Sequence, residues 1–426
     1  MINPDAPKKR HKPITEELIA LFARRPEIKR MLEASIAAAL SQNSDPVTNP
    51  VQDLAGYLDF TDKAVCALPW ELCADAGTPL YMQIVWGACY SLFLIDQPLE
   101  ELKGRGLWRP SLAFYPPFRD WSSRFLSAYR REMDDTVSWN DEIYAKVKNS
   151  GIFFLDRGWY ESPDNWHSFN EFFARRLASP DARPIMSPND ASVVVSPGDA
   201  ASLGLWKINE NSEIEPHSAV VKSSICHSAK ELIGADSPYA DSFAGGTFTH
   251  AFLSMEDYHR YHFPVGGVVR EARIFPREEA CGTARWESGK CRYVYDGSVE
   301  GYRWNGTEYT NCGDFMNQDW TVVPHWEMLE ERGCAVVETE HFGLVAILPV
   351  GMYNISSVNF EENVKPGAVV KKGEPLGYFL FGGSDVIMMF QKSVRVSLSA
   401  KRHTGGGLPY SKLLMGQEYA KLTACS

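Results

Sequence analysis

The sequence has no run of about 20 apolar residues, so it offers no helix long enough to span a bilayer. Its most apolar stretch, Leu80 to Ile95, is interrupted by Gln83 and Ser91 and stopped by Asp96, and reads as a buried core helix. Cysteine is sparse: nine among 426 residues. The number is odd and no CxxC pair occurs, which excludes a disulfide framework and leaves no zinc-ligand spacing. Positive charge is in deficit, with 43 Lys plus Arg against 54 Asp plus Glu and a net charge of −11. That balance excludes nucleic acid as the main partner and opposes docking on an anionic membrane face. No internal repeat or low-complexity segment occurs. The polar start, Met1 to Lys12, carries Lys8, Lys9, Arg10 and Lys12 with no apolar secretory segment after it. A reducing, cytoplasmic compartment is expected.

What is present divides in two. The first 160 residues are rich in helix signals. Thr15 is placed to cap a helix with Glu16 and Glu17 in its first turn, where the helix dipole favours anions. Arg30 to Leu40 reads as a second helix and Ser41 to Pro50 as a loop. From Val193 the texture changes to short β-rich runs between Gly, Pro, Asn and Asp turns: Val193–Val195, Gly267–Val269, Val336–Val337 and Val345–Leu348. Asp296-Gly297 and Asn305-Gly306 are hairpin signals. The expected fold class is α+β: a helical N-terminal domain over 1–160, then a mostly antiparallel β domain over 161–426, with residues from about 270 to 325 inserted as hairpins or loops.

Three segments carry chemistry: Ser196-Pro197-Gly198-Asp199, Asp257-Tyr258-His259-Arg260-Tyr261-His262 and Phe381-Gly382-Gly383-Ser384-Asp385. Alone, each has an ordinary reading as a turn, a structural histidine pair or a hairpin. The histidine pair lacks an HExxH pattern or a third ligand, so no metal is expected. Together they supply Asp199, His259 and Ser384, the parts of a base-activated nucleophile, with Ser384 behind two glycines at the mouth of the apolar run Val386 to Phe390.

The combination resembles the phosphatidylserine decarboxylase family of pyruvoyl enzymes. Phe169-Asn170-Glu171-Phe172-Phe173-Ala174-Arg175-Arg176 followed by Arg183-Pro184, the Ser196–Asp199 segment, Phe252-Leu253-Ser254 through His262-Phe263-Pro264, Glu331-Arg332, Phe342-Gly343 with Val350-Gly351, and Gly377-Tyr378-Phe379 with Phe381–Ser384 fall in the family's order. The resemblance covers about residues 165 to 400 and implies the family's β domain. It implies self-cleavage between Gly383 and Ser384, with His259 as base and Asp199 holding it. The cofactor would be a pyruvoyl group derived from Ser384, which accepts a substrate amine as a Schiff base and draws electrons from the departing carboxylate. His262 is matched to proton return or carboxylate placement. Asp385, Phe243 and Tyr258 are candidate substrate-binding residues. Three positions depart from the family pattern. Asp385 stands where Thr or Ser is usual, Ala200 replaces a glycine, and Ser223 lies near Lys222 where glycine is common.

Two rivals remain. Val364 to Leu376 resembles the half-barrel of biotinyl and lipoyl carriers but lacks their Met-Lys-Met-like turn. An unprocessed relative could keep the fold and bind a ligand without chemistry. Within the enzyme reading, the charge and the lack of a membrane segment favour a small-molecule substrate, a free L-amino acid that could be aromatic, over phosphatidylserine. Trp286, Tyr293, Tyr295, Tyr302 and Trp304 could line such a pocket or be cross-strand packing pairs. His217, His227, His250, His325 and His341 lack a paired ligand pattern and read as structural or surface residues, although His250, nine residues before His259 in a β-like segment, could also lie near the pocket. Gly405–Gly407 reads as a flexible link. A homodimer is the default assembly.

Overall fold

The structure, a computed structural model, describes residues 10–72, 78–105, 107, 110–214, 227–276, 284–295, 302–304, 309–311, 331–351, 357–381, 383–402 and 410–425. The fold is α+β, as the sequence implies. The chain divides into two compact units, Met1–Met133 with Thr283–Val294, and Asp134–Gly282 with Tyr295–Ser426. The expected boundary near residue 160 thus compares with a division at 133/134.

The first unit is helical. Helix α1 (Pro13–Arg24) begins at Pro13, whose missing N–H is one a first turn leaves unpaired anyway. Thr15 therefore lies inside the helix and is buried, and Lys12 occupies the capping position expected for Thr15. Ile14, Leu18, Leu21 and Phe22 form the buried stripe. Helix α2 (Pro26–Gln42) buries Ile28, Met31, Leu32, Ile36 and Ala39 at helical spacing. It is tied by Ser35 Oγ, which donates to the Leu94 carbonyl at 2.8 Å. Helix α3 (Leu54–Ala64) is capped by Asp53, which accepts from Gly56 N. Helix α4 (Leu80–Phe93) realises the expected core helix, and α5 (Pro116–Asp134) completes the set. Among the described residues, no helix is long and apolar enough to cross a membrane.

The strands Ala284–Glu287 and Arg292–Tyr295 form a two-stranded ribbon. Tyr293 is buried against Trp286, Tyr90 and Phe93 at 4.7, 5.3 and 5.1 Å between ring centroids. Its hydroxyl donates to the Thr48 carbonyl and accepts from Asn43 Nδ2, both at 2.9 Å. Tyr293 is thus core packing, and Trp286, partly buried, packs against it. The strands Tyr302–Trp304 and Tyr309–Asn311 pair antiparallel on either side of Asn305-Gly306. Both turn dipeptides, Ser223, Lys222, His217, His325 and Gly405–Gly407 lie outside the described residues.

The second unit is built on an eight-stranded antiparallel sheet. Its order is Val369–Val370, Gly267–Phe275, Arg332–Glu338, Leu344–Gly351, Gly383–Phe390, Thr247–Phe252, Ala200–Lys207 and Lys412–Leu413. The Gly383–Phe390 strand lies inside this sheet, and its alternate residues face two apolar layers. Val386, Met388 and Phe390 join one with Ala251, Val345 and Ile347. Ile387 and Met389 join the other with Phe248, Phe252 and Ala346.

Both faces are covered, so the strand reads as a continuous apolar run rather than an alternating one. The first layer is closed by a small sheet of Ser357–Phe360, Pro375–Leu380 and Arg260–His262, which contributes Val358, Leu376, Phe379 and Tyr261. Gly377 is required there, because a Cβ would lie 2.0 Å from the Asn359 carbonyl oxygen. The second layer is closed by the short helix Ala229–Ile233. Ala200, which replaces a family glycine, is fully buried in the first layer, so the backbone there accommodates its Cβ. The carrier-like segment supplies the edge strand Val369–Val370 and leads into the small sheet.

Candidate functional site

His259 sits at the end of the loop that joins Thr247–Phe252 to Arg260–His262. The loop is a tight turn, in which Asp257 N donates to Ser254 O at 2.9 Å and Ser254 N donates to Asp257 Oδ2 at 2.8 Å. The His259 carbonyl accepts from Phe379 N at 2.9 Å, which fixes the residue against the strand leading to Ser384. The imidazole is fully buried. Its Nδ1 lies 2.9 Å from the Asp257 carbonyl oxygen, which can only accept, so Nδ1 carries the proton. Nε2 is then the bare nitrogen, and it has no hydrogen-bond partner among the described residues. Burial, reinforced by the Arg175 guanidinium, holds the His259 pKa well below the ordinary 6.5. The site thus presents a neutral imidazole with a free lone pair, which is what a general base requires.

The entry segment of the motif clamps this base. Helix Phe169–Phe173 is capped by Ser168 Oγ, which accepts from Glu171 N. The Phe173 ring stacks on the His259 ring at 3.9 Å between centroids and meets Phe381 edge-on at 5.2 Å. Asn170 Oδ1 accepts from Phe381 N at 3.0 Å, while its Nδ2 donates to Asp134 Oδ1 at 2.8 Å. Arg175, fully buried, donates from Nη2 to the carbonyls of Glu256 and Asp257 at 3.0 and 2.9 Å, and its guanidinium rests on the Tyr160 ring at 4.4 Å. The Asp257 carbonyl therefore serves both Arg175 and His259. Sequence reasoning singled out none of Asn170, Phe173, Arg175 or Asp257 as functional. Their signal lay in the FNEFFAR and DYH strings, where aromatics and an arginine read as packing and charge.

Asp199 does not orient His259 here. Its carboxylate is held by Arg183, with Nε to Oδ1 at 2.9 Å and Nη2 to Oδ2 at 2.6 Å, and Met415 N donates to Oδ1 at 2.8 Å. Both partners of this fork are buried, and the Arg183 guanidinium covers the Trp159 ring at 4.1 Å. The orienting role expected of Asp199 is met by the Asp257 backbone carbonyl. His262 is also fully engaged: Nδ1 donates to the Gly373 carbonyl at 2.8 Å and Nε2 accepts from Tyr258 Oη at 3.1 Å. Burial lowers its pKa to about 4, with Arg260 acting in the same direction. Both nitrogens of His262 are thus engaged in hydrogen bonds. Tyr258, a candidate substrate contact, is buried and serves His262. Phe243, the other, is fully buried in the apolar layer that holds Ile387 and Met389. Lys412 Nζ lies 2.7 Å from Asp257 Oδ2, yet burial pushes the Asp257 carboxyl up to about 7.

Gly383 and Ser384 open the Gly383–Phe390 strand, and the side chain of Ser384 lies outside the described set. Asp385 pairs with Val350 and Gly383 pairs with Gly351, so Ser384 is the extra residue of a bulge. Bulges of this kind interrupt a ladder and re-aim a residue, and they recur beside active sites. Asp385 is buried with its Oδ1 2.9 Å from His250 Nε2. His250, read from the sequence as structural or surface with a place near the pocket left open, is thus brought to the residue after Ser384.

The phosphatidylserine decarboxylase family model matches residues 169–421. A phosphatidylserine decarboxylase proenzyme of Chlamydia trachomatis is 29% identical over 227 residues, 53% of this chain and 60% of the relative. One from Fusobacterium nucleatum is 29% identical over 302 residues, 69% of this chain and 84% of the relative. Decarboxylase iboD of Amanita muscaria is 28% identical over 230 residues, 52% of this chain and 58% of the relative. The chain thus spans about 60% of the length of the chlamydial relative. With the family match extending over more than half of the sequence and containing the His259 clamp and the Ser384 bulge, the chain belongs to the phosphatidylserine decarboxylase family.

Proposed function

We propose that the chain is a self-processing decarboxylase that opens between Gly383 and Ser384 and carries a pyruvoyl group at position 384. The observation that carries this reading is the bare, buried Nε2 of His259, held on the same aromatic clamp as Phe381. Ser384 Oγ adds to the Gly383 carbonyl and gives its proton to His259, a transfer the hydroxyl needs because it is a weak acid. The peptide bond becomes an ester. Elimination releases the Gly383 carboxylate, and hydrolysis of the dehydrated residue releases ammonia and leaves the ketone.

The residues present fit such a group. Residue 384 stands at a bulge beside Asp385, which pairs with Val350 on one side and Phe252 on the other, so its neighbour stays held in the sheet after the chain opens. When formed, the pyruvoyl carbonyl supplies the electron sink for loss of carbon dioxide from an α-amino carboxylate. The protein's own part is placement: Arg175 and the Asp257 carbonyl hold His259 in its neutral tautomer, and Phe173 keeps that ring dry.

Because the base is already neutral, self-cleavage should be flat from about pH 8 to about pH 6. Only as the pH falls through the depressed His259 value does protonation remove the lone pair. The rate is read by gel in the wild type and in Asp257→Asn, which removes a neighbouring carboxyl that titrates near 7. A half-maximal rate near 6.5 in both would show an ordinary, exposed histidine and defeat the assignment.

For the substrate we favour phosphatidylserine over the free amino acid preferred from charge. The chlamydial and fusobacterial proenzymes carry that lipid in their names, and Tyr293, one of the aromatics that suggested an amino-acid pocket, is core packing. Carbon dioxide release from phosphatidylserine vesicles, with little from a panel of free L-amino acids, is the expected result. Release from a free amino acid alone would restore the preference drawn from charge.

A further inference from the structure

The Gly383–Phe390 strand poses a register problem. From Val386 to Phe390 every residue is apolar and buried, and both faces of the strand meet apolar layers. A one-residue slip exchanges the two faces of a strand, and a hydrophobic pattern normally forbids it. Here the pattern is apolar on both faces, so it does not choose between registers. The bulge at Ser384 compounds the problem, since the extra residue can be absorbed there or passed along the strand.

One pair of side chains does choose. Asp385 is the residue next to the bulge, paired with Val350 on one side and Phe252 on the other. His250 faces Ile387 across the ladder, two places along and on the same face as Asp385. The side chains meet at 2.9 Å, with relative exposures of 0% and 1%. In the slipped register the Asp385 carboxylate would enter the layer of Ala251, Val386 and Met388, away from His250. A buried polar pair that fixes register at some cost in stability is an established device elsewhere.

We propose that His250 and Asp385 form a register lock that positions Ser384 for cleavage, with His250 a positioning residue. This rests on the self-cleavage reading given under Proposed function. The lock acts through the strand: it pins the last doubly paired residue, and so the bulge stays at 384.

The test is cleavage kinetics of the full chain made by cell-free synthesis, read as the fraction cut against time on denaturing gels. His250→Val and Asp385→Val should each slow cleavage about tenfold or more, and the double variant should be no slower than the worse single one, since the two act as a unit. His250→Gln, which keeps a donor for the carboxylate, should cleave within about threefold of wild type, a rescue that loss of packing alone would not give. Single variants that cut at the wild-type rate, effects that multiply in the double variant, or a His250→Gln as slow as His250→Val would each overturn the lock. If the valine variants fail to fold, His250→Gln decides alone: near-wild-type cutting supports the lock and about tenfold slowing overturns it. A wild type that never cuts overturns the self-cleavage reading and the lock with it; a wild type that cuts beside unaffected variants overturns the lock alone.

Discussion

Ser384→Ala should yield a single full-length chain of 47.8 kDa under denaturing conditions, with no decarboxylation of any substrate. The wild type should give a long fragment ending at Gly383 and a short one beginning at residue 384. The alanine has no oxygen to form the ester, so the loss is complete rather than partial. His259→Gln tests the base separately: a positioned general base contributes about 10²–10⁴ in rate, so cleavage should persist over long incubation but be slower by that factor. The substitution removes the basic lone pair together with the ring stack on Phe173 and the Nδ1 bond to the Asp257 carbonyl. A wild-type chain that remains whole would mark an unprocessed, ligand-binding relative.

The second large effect is on stability. Arg183→Met leaves the Asp199 carboxylate buried without its guanidinium, and breaking a buried pair by removing one partner costs about 3–5 kcal/mol. For a folded unit of this size that corresponds to a fall of roughly 10 °C in Tm. Removing both charges, as Arg183→Met with Asp199→Leu, should recover part of the loss, because no bare charge remains. Recovery stops short of wild type, since Met415 N loses its acceptor, a cost of about 1–3 kcal/mol. Thermal melts of the three proteins check the order. Equal melting temperatures for the single variant and the wild type would show that the fork is not buried as described.

Much of the fold was legible because it derives from local chemistry. The stripe of Leu18, Leu21 and Phe22 and the run Val345 to Leu348 announce a helix and a strand by their spacing. Capping was misjudged at Thr15 because Pro13, two residues earlier, starts the helix without needing a side-chain cap. The site was legible as a set of residues but not as a set of partners. Asp199 and His259 were paired from residue type, whereas Arg183, 16 positions before Asp199, takes both carboxylate oxygens. The group that holds His259 is a main-chain carbonyl, and every residue has one, so no sequence pattern could single out Asp257. For a related reason His250 could be placed near the pocket only as an open alternative, and its partner could not be named. It lies nine residues before the DYH string's histidine, and only strand pairing carries it to Asp385.

The interior position of the Gly383–Phe390 strand governs the fate of the two pieces after a cut at its first bond. Residues 384–426 would hold this strand together with Val394–Leu398, Lys412–Leu413 and Glu418–Ala424. The long fragment would keep Leu344–Gly351 and Thr247–Phe252 on either side of the first, Ala200–Lys207 beside the third and Val193–Val195 beside the last. The two chains would be woven through one another, and their separation would require the sheet itself to come apart. Dilution should therefore not part them: they should travel as one particle on a sizing column and melt in one transition, and the short chain should come free only in denaturant.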